Sequence, residues 1–257
     1  MKKTTFIYLS ILCIIFSGCS ISRPDTIMQI STIDSLIAGN YDGHMSCGEL
    51  LQNGDFGLGT FQGLDGEMVV LDGKIYQIKA DGNVYSPDLN TGSPFASICD
   101  FKPEKTVTIE NKTDFKAMED IIDMASPNKN LFCAIRIDGD FSFMETRSVP
   151  AQRKPYSPLS EITKNQPRFK MRNISGTIVG FRCPPFVKGL NVPGYHLHFL
   201  SKDRTKGGHI LSFETKNAEC KIDICNGFYM VLPKDDDVFG GTDLTKNRNA
   251  DLQKIEK

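Results

Sequence analysis

Residues 195–199 run Tyr195-His196-Leu197-His198-Phe199, an alternation of imidazole side chains with largely apolar ones. That alternation reads as a half-buried strand. It puts His196 and His198 on one face and Tyr195, Leu197 and Phe199 on the other. A turn-forming segment, Asp203 to Gly208, follows, and His209 then opens a second strand-like run. A hairpin in which His198 faces His209 also sets His196 opposite Leu211, with cross-strand Cβ atoms about 5 Å apart on one face. Three imidazoles then converge, in a chain that has only 4 histidines. Three protein ligands with a position left open for water or substrate is the donor set of a catalytic zinc site. The competing reading is three ordinary core or surface histidines, and their shared face weighs against it. The fourth, His44, sits in a Tyr41-Asp42-Gly43-His44 turn and reads as a surface loop residue.

The 30 Lys+Arg nearly balance the 31 Asp+Glu, so there is no basic footprint for nucleic acid. An apolar share of 40% over 257 residues excludes disorder over most of the chain and allows a sizeable core.

The first residues form an address. Met1-Lys2-Lys3 is a basic start, residues 4–16 are apolar, and Ser17-Gly18 precede Cys19. The apolar run is shorter than the about 20 residues a membrane-spanning helix needs. Residues 1–18 therefore read as a signal peptide of the bacterial lipoprotein type, with Cys19 lipidated and residues 19–25 as a tether. The chain is expected to be exported and lipid-anchored at a cell-envelope membrane. Cys99 and Cys133 sit in apolar runs and read as small buried hydrophobes. Cys220 and Cys225 are close enough in sequence to bridge, although nothing in their spacing compels it. No C-x-x-C pair exists, which speaks against a thiolate zinc knuckle.

The remaining pattern is α+β and strand-rich. Helices are expected at residues 31–38 and 113–125, the latter with Thr113 as cap, and a helical turn at 48–53. Strands are expected at 56–61 and in a hairpin, 67–71 with 74–79, around Asp72-Gly73. Further strands are expected at 131–137 and 141–149 around Asp138-Gly139, then at 175–182, 195–201, 209–215 and 227–232. The polar segment 150–167 reads as a connection between an N-terminal mixed-sheet half, 26–155, and a C-terminal half, 156–257. The charged tail from residue 234 reads as loop. Residues 49–61 are faintly echoed by 161–178, either an internal pseudo-repeat or chance similarity.

Phe141, Phe143, Glu145 and Arg147 share one strand parity, so Arg147 ends an apolar face. A buried guanidinium needs a partner. It suits a substrate carboxylate, or it pairs locally with Glu145. Glu67 taken alone reads as a solvated strand end.

Longer stretches carry a resemblance. They are residues 29–36 (QISTIDSL), 39–51 (GNYDGHMSCGELL), 54–66 (GDFGLGTFQGLDG), Arg147-Ser148-Val149 with Gln152, 176–181 (GTIVGF), and 193–199 (PGYHLHF) through Gly207-Gly208-His209. In these the chain resembles the bacterial acetolactate decarboxylases. The resemblance implies two mixed β-sheet halves with a few helices, built from pseudo-repeats, and a homodimer. It implies zinc on His196, His198 and His209. It also implies pocket residues at Thr60, Glu67 and Arg147, with Glu256 as the match for a C-terminal glutamate. The implied reaction converts (S)-2-acetolactate, a 2-hydroxy-3-keto acid, to (R)-acetoin and CO2 through a metal-stabilised enediolate. The lipoprotein-like leader and the shortened tail depart from the family pattern. Two other readings stay open. A cupin-like metalloenzyme also uses H-x-H on a strand, but it wants Glu where this chain has Ser201 and Lys202. A non-enzymatic lipoprotein would bind zinc or a small ligand and leave Glu67 and Arg147 idle.

Overall fold

The computed structural model describes residues 25–234 and 236–256. The leader, Cys19 and most of the tether lie outside them. The first eight strands are β1 (Thr26–Ile30), β2 (Met45–Ser46), β3 (Phe56–Thr60), β4 (Glu67–Leu71), β5 (Lys74–Ile78), β6 (Val84–Tyr85), β7 (Gly92–Ser93) and β8 (Ala96–Cys99). The other seven are β9 (Lys105–Ile109), β10 (Thr113–Asp114), β11 (Phe132–Arg147), β12 (Arg168–Cys183), β13 (Gly194–Ser201), β14 (Gly207–Cys225) and β15 (Gly227–Val231). The helices are α1 (Ile33–Ile37), α2 (Cys47–Leu50), α3 (Phe115–Ala125), α4 (Leu159–Ile162), α5 (Asp237–Gly241) and α6 (Asn249–Ile255).

Two sheets carry the fold, as the α+β expectation required. One runs β15-β1-β8-β3-β4-β5-β6. The other runs β10-β14-β11-β12-β13, with β9 also on β14. Because β13 pairs with both β12 and β14, the strands β14-β11-β12-β13 close on themselves. Phe56, Leu58 and Val69 of the first sheet pack with Ala134, Val179 and Phe181 of the second in one shared core. Residues 150–167 connect β11 to β12 within the second sheet. The chain changes sheet elsewhere, between β8 and β9 and between β14 and β15. No helix among the described residues is long and apolar enough to cross a membrane.

Local rules hold where they are strong. Asp72 and Gly73 have φ of 53° and 70°, the doubly positive turn that joins β4 to β5. The echoed segments share a local form: α2 and α4 each continue into a 3₁₀ turn and then a strand. Asp138-Gly139 behaves differently. It is no turn, and β11 runs through it as one strand of 16 residues, irregular near Asp140. Gly139 is small because a Cβ there would meet Ala218 Cβ at 2.6 Å across the β14 pairing. Likewise β14 continues beyond Thr215 to Cys225. Asp114, not Thr113, caps α3, accepting from Ala117 N at 2.9 Å. Thr113 Oγ1 donates instead to Asn111 O at 3.0 Å. The tail is not all loop, because α6 buries Leu252 and Ile255 against Ile33, Leu36 and Leu159. All six described cysteines are free and buried. Cys220 and Cys225 do not bridge, since five residues apart on one strand they point to opposite faces and into different cores.

One buttress ties α3 to the histidine strand. Asp123 accepts from Tyr195 Oη at 2.7 Å, Arg182 Nη1 at 2.9 Å and Lys129 Nζ at 2.7 Å. Burial alone would raise the Asp123 carboxyl, but hydrogen bonds from Lys129, Tyr195 and Arg182 outweigh it and bring it down to about 2. A depressed folded-state value stabilises above the unfolded value, and that stability is lost as pH falls toward 2. Asp123→Asn is therefore expected to cost about 1–2 kcal/mol at neutral pH. Denaturant melts should show the gap to wild type closing between pH 4 and pH 2. A gap constant with pH would mean that the carboxylate charge is not what stabilises.

Candidate metal centre and pocket

Two strand registers meet at His209. In the β13–β14 hairpin His209 lies opposite His198, as the alternation predicts. In the β11–β14 pairing it lies opposite Arg147. The expected match of His196 with Leu211 does not form, because the hairpin pairs only three positions before β14 turns to follow β11. Gly208 makes the squeeze feasible: it has φ +132°, and a Cβ there would meet Arg147 O at 2.5 Å. The ring centroids stand 5.1 Å apart for His196–His198, 5.1 Å for His196–His209 and 5.4 Å for His198–His209. One ligand nitrogen from each ring falls within 4.8 Å of the others.

Their electrostatics suit ligation. Burial, reinforced by the Arg147 charge, pushes His196 down to about 3. Burial also holds His198 and His209 well below the usual imidazole value, with neighbouring histidines and Arg147 adding to it. All three are neutral at physiological pH, the form that binds metal. His198 Nδ1 lies 2.8 Å from the main-chain carbonyl of Met68 on β4. A carbonyl only accepts, so Nδ1 carries the proton and Nε2 offers its lone pair. That Nε2 is buried with no hydrogen-bond partner, as is His196 Nδ1. A buried unpaired acceptor is costly, and a cation among the three rings would satisfy His198 Nε2. The residues present fit a zinc-class ion.

The carboxylates come from elsewhere in the chain. Glu67 opens β4 directly opposite Thr60 on β3. Thr60 Oγ1 donates to Gly66 O at 2.7 Å, which holds the turn that delivers Glu67. Arg147 Nη1 donates to Glu67 Oε1 at 3.1 Å, and Arg147 Nη2 stands 4.0 Å from Glu256 Oε1. The second oxygens point at the histidines: Glu67 Oε2 is 3.6 Å from His198 Nε2, and Glu256 Oε2 is 3.6 Å from His209 Nε2. Glu67 is thus no solvated strand end, and Arg147 does not pair with Glu145, whose partner is Lys170 at 3.9 Å. Burial raises both Glu67 and Glu256 to about 7, against the pull of Arg147. Each is poised to give or take a proton near neutrality.

These groups line one pocket, partly open to solvent, with walls from Leu36, Phe95, Val149, Leu159 and Ile255. It brings together every residue expected in the site: Thr60, Glu67, Arg147, His196, His198, His209 and Glu256. His44 is elsewhere, 3.2 Å from Asp236. The Met68 carbonyl that orients His198 is a backbone atom, so no residue type announces it.

The family model for alpha-acetolactate decarboxylase matches residues 27–246. The chain belongs to that family. An alpha-acetolactate decarboxylase of Methanosarcina mazei is 45% identical over 236 residues, covering 92% of this chain and 82% of the relative. One from Methylococcus capsulatus is 44% identical, covering 90% and 88%. The crystal structure of the Bacillus subtilis strain 168 enzyme superposes with a TM-score of 0.87 at 39% identity, over 90% of this chain and 99% of that one. Family membership excludes the cupin reading. Glu256 lies beyond the matched residues, and it reaches the pocket only because α6 docks beside α1 and α4.

Proposed function

We propose that the chain decarboxylates (S)-2-acetolactate to (R)-acetoin and CO2, with zinc held by His196, His198 and His209. The observation that carries this reading is the placement of one guanidinium, two carboxyls raised to about 7 and three neutral imidazoles around one pocket. When bound, zinc would supply Lewis-acid stabilisation of negative charge at the substrate's ketone and hydroxyl oxygens. Arg147 receives the substrate carboxylate and orients its C–C bond before cleavage. As that bond breaks, CO2 leaves and the electron pair passes to the neighbouring ketone, giving an enediolate. Glu67 or Glu256, protonated, delivers a proton to one face of the carbon, and solvent restores the carboxyl. The apolar walls keep water away from the developing charge.

The purified chain incubated with racemic acetolactate should release CO2 and single-handed acetoin, and chelation should abolish the reaction. No metal-dependent acetoin formation would overturn the proposal and favour the non-enzymatic reading. We also propose export with lipidation at Cys19, on the strength of the leader, and assembly as a homodimer, on the strength of the family resemblance. Cells fed a palmitate analogue should label the chain, and Cys19→Ala should remove the label. A soluble, unlabelled product would point to simple secretion.

A further inference from the structure

A second group of side chains able to hold a metal ion lies at the far end of β14 from His209. Cys99, Asp223 and Cys225 are all buried, and one ligand atom from each lies within 4.8 Å of the others. Asp223 Oδ2 accepts from the backbone N of Lys102 at 2.8 Å, which fixes the carboxylate. Its Oδ1 is buried and has no hydrogen-bond partner, on a side chain only 1% exposed. An unpaired buried carboxylate oxygen costs more than an ordinary lost hydrogen bond. We propose that Cys99, Asp223 and Cys225, converging where the chain crosses between its sheets, form a second, buried site for a thiophilic divalent cation of the zinc class, with three protein ligands and a fourth position left to a small ligand such as water.

The donor set selects the ion: two sulfurs and one oxygen suit zinc and disfavour magnesium or calcium. The local field helps. The Asp25 and Glu104 charges act on Asp223, opposed by that of Lys102, and the Asp55 charge acts on Cys99. Contact with Cys225, burial and the Asp223 and Asp55 charges hold the Cys99 thiol well above its usual value. A divalent cation inverts that preference. Each sulfur loses its proton to solvent as its bond to the ion forms, two protons per ion. The position explains the role. Cys99 ends β8 just before the chain leaves the first sheet, and Cys225 ends β14 just before it returns. One ion there clamps both crossings.

Cobalt(II) loading of the reduced full chain tests this, because a thiolate–cobalt charge-transfer band cannot arise from three histidines. The band is expected in wild type and in His198→Ala, and is expected to vanish in Cys99→Ser and in Cys225→Ser. Zinc content should fall by one equivalent per chain in Cys225→Ser while acetoin formation persists. Asp223→Asn, which keeps both sulfurs, should weaken cobalt binding at least tenfold. No thiolate band in wild type, a band surviving both serine variants, or a Cys99–Cys225 disulfide in the isolated chain would overturn the proposal. The result is independent of the histidine centre, so its failure leaves that centre untouched.

Discussion

His198→Ala is expected to remove most of the metal from the histidine centre and to reduce acetoin formation to background. His198 is the best-oriented of the three rings, with Nδ1–H on Met68 O at 2.8 Å and Nε2 free toward the pocket. Loss of an outer partner of a metal ligand typically costs about 10–100-fold in affinity, so loss of the ligand itself should exceed about 100-fold. The fold should survive, because a buried imidazole is replaced by a smaller side chain without stranding a charge. Equilibrium dialysis with zinc, beside a thermal melt, separates the two effects. Full metal occupancy at the histidine centre in a folded His198→Ala chain would place catalytic metal elsewhere.

Arg147→Met is expected to lower kcat/KM by roughly 100-fold or more, the loss of about 3 kcal/mol of charge-assisted contact to a carboxylate. Stability should fall less than the charge count suggests. Removing one partner of a buried ion pair costs about 3–5 kcal/mol when the other stays charged. Glu67 and Glu256 already sit at about 7, and without Arg147 they move higher and take up protons. Protonation should hold the loss to about 2 kcal/mol. Inhibition constants provide the discriminating readout. A non-reacting 2-hydroxy acid should bind far more weakly to the variant, whereas acetoin, which has no carboxylate, should bind as before. A kcat/KM within threefold of wild type would remove Arg147 from substrate recognition.

Legibility from the sequence followed the distance over which each signal acts. The Asp72-Gly73 turn and the His198–His209 pairing involve neighbours along the chain, and both appear as expected. Asp138-Gly139 misled because glycine has two uses, turning a chain and admitting a close neighbour. Here Ala218, distant in sequence, decides between them. The cap of α3 moved from Thr113 to Asp114 because the pairing with β14 extends through Asp114 and the helix starts one residue later, at Phe115. Glu67 gave no signal of its own, since its ion pair with Arg147 spans 80 residues. Family resemblance supplied that pair, and Glu256 as well.

Sequence alone determined the histidine hairpin. Side-chain alternation on a strand is a covalent regularity, so H-x-H must share a face and a short turn must return His209 to it. Tertiary structure alone decided what surrounds those rings. The second sheet's ring of strands sets Arg147 beside His209, β4 brings Glu67 and the Met68 carbonyl to His198, and α6 carries Glu256 in from the tail. It likewise assembled Cys99 and Cys225 from the two crossings between sheets. Such meetings depend on packing between segments far apart in the chain, where local periodicity carries no information.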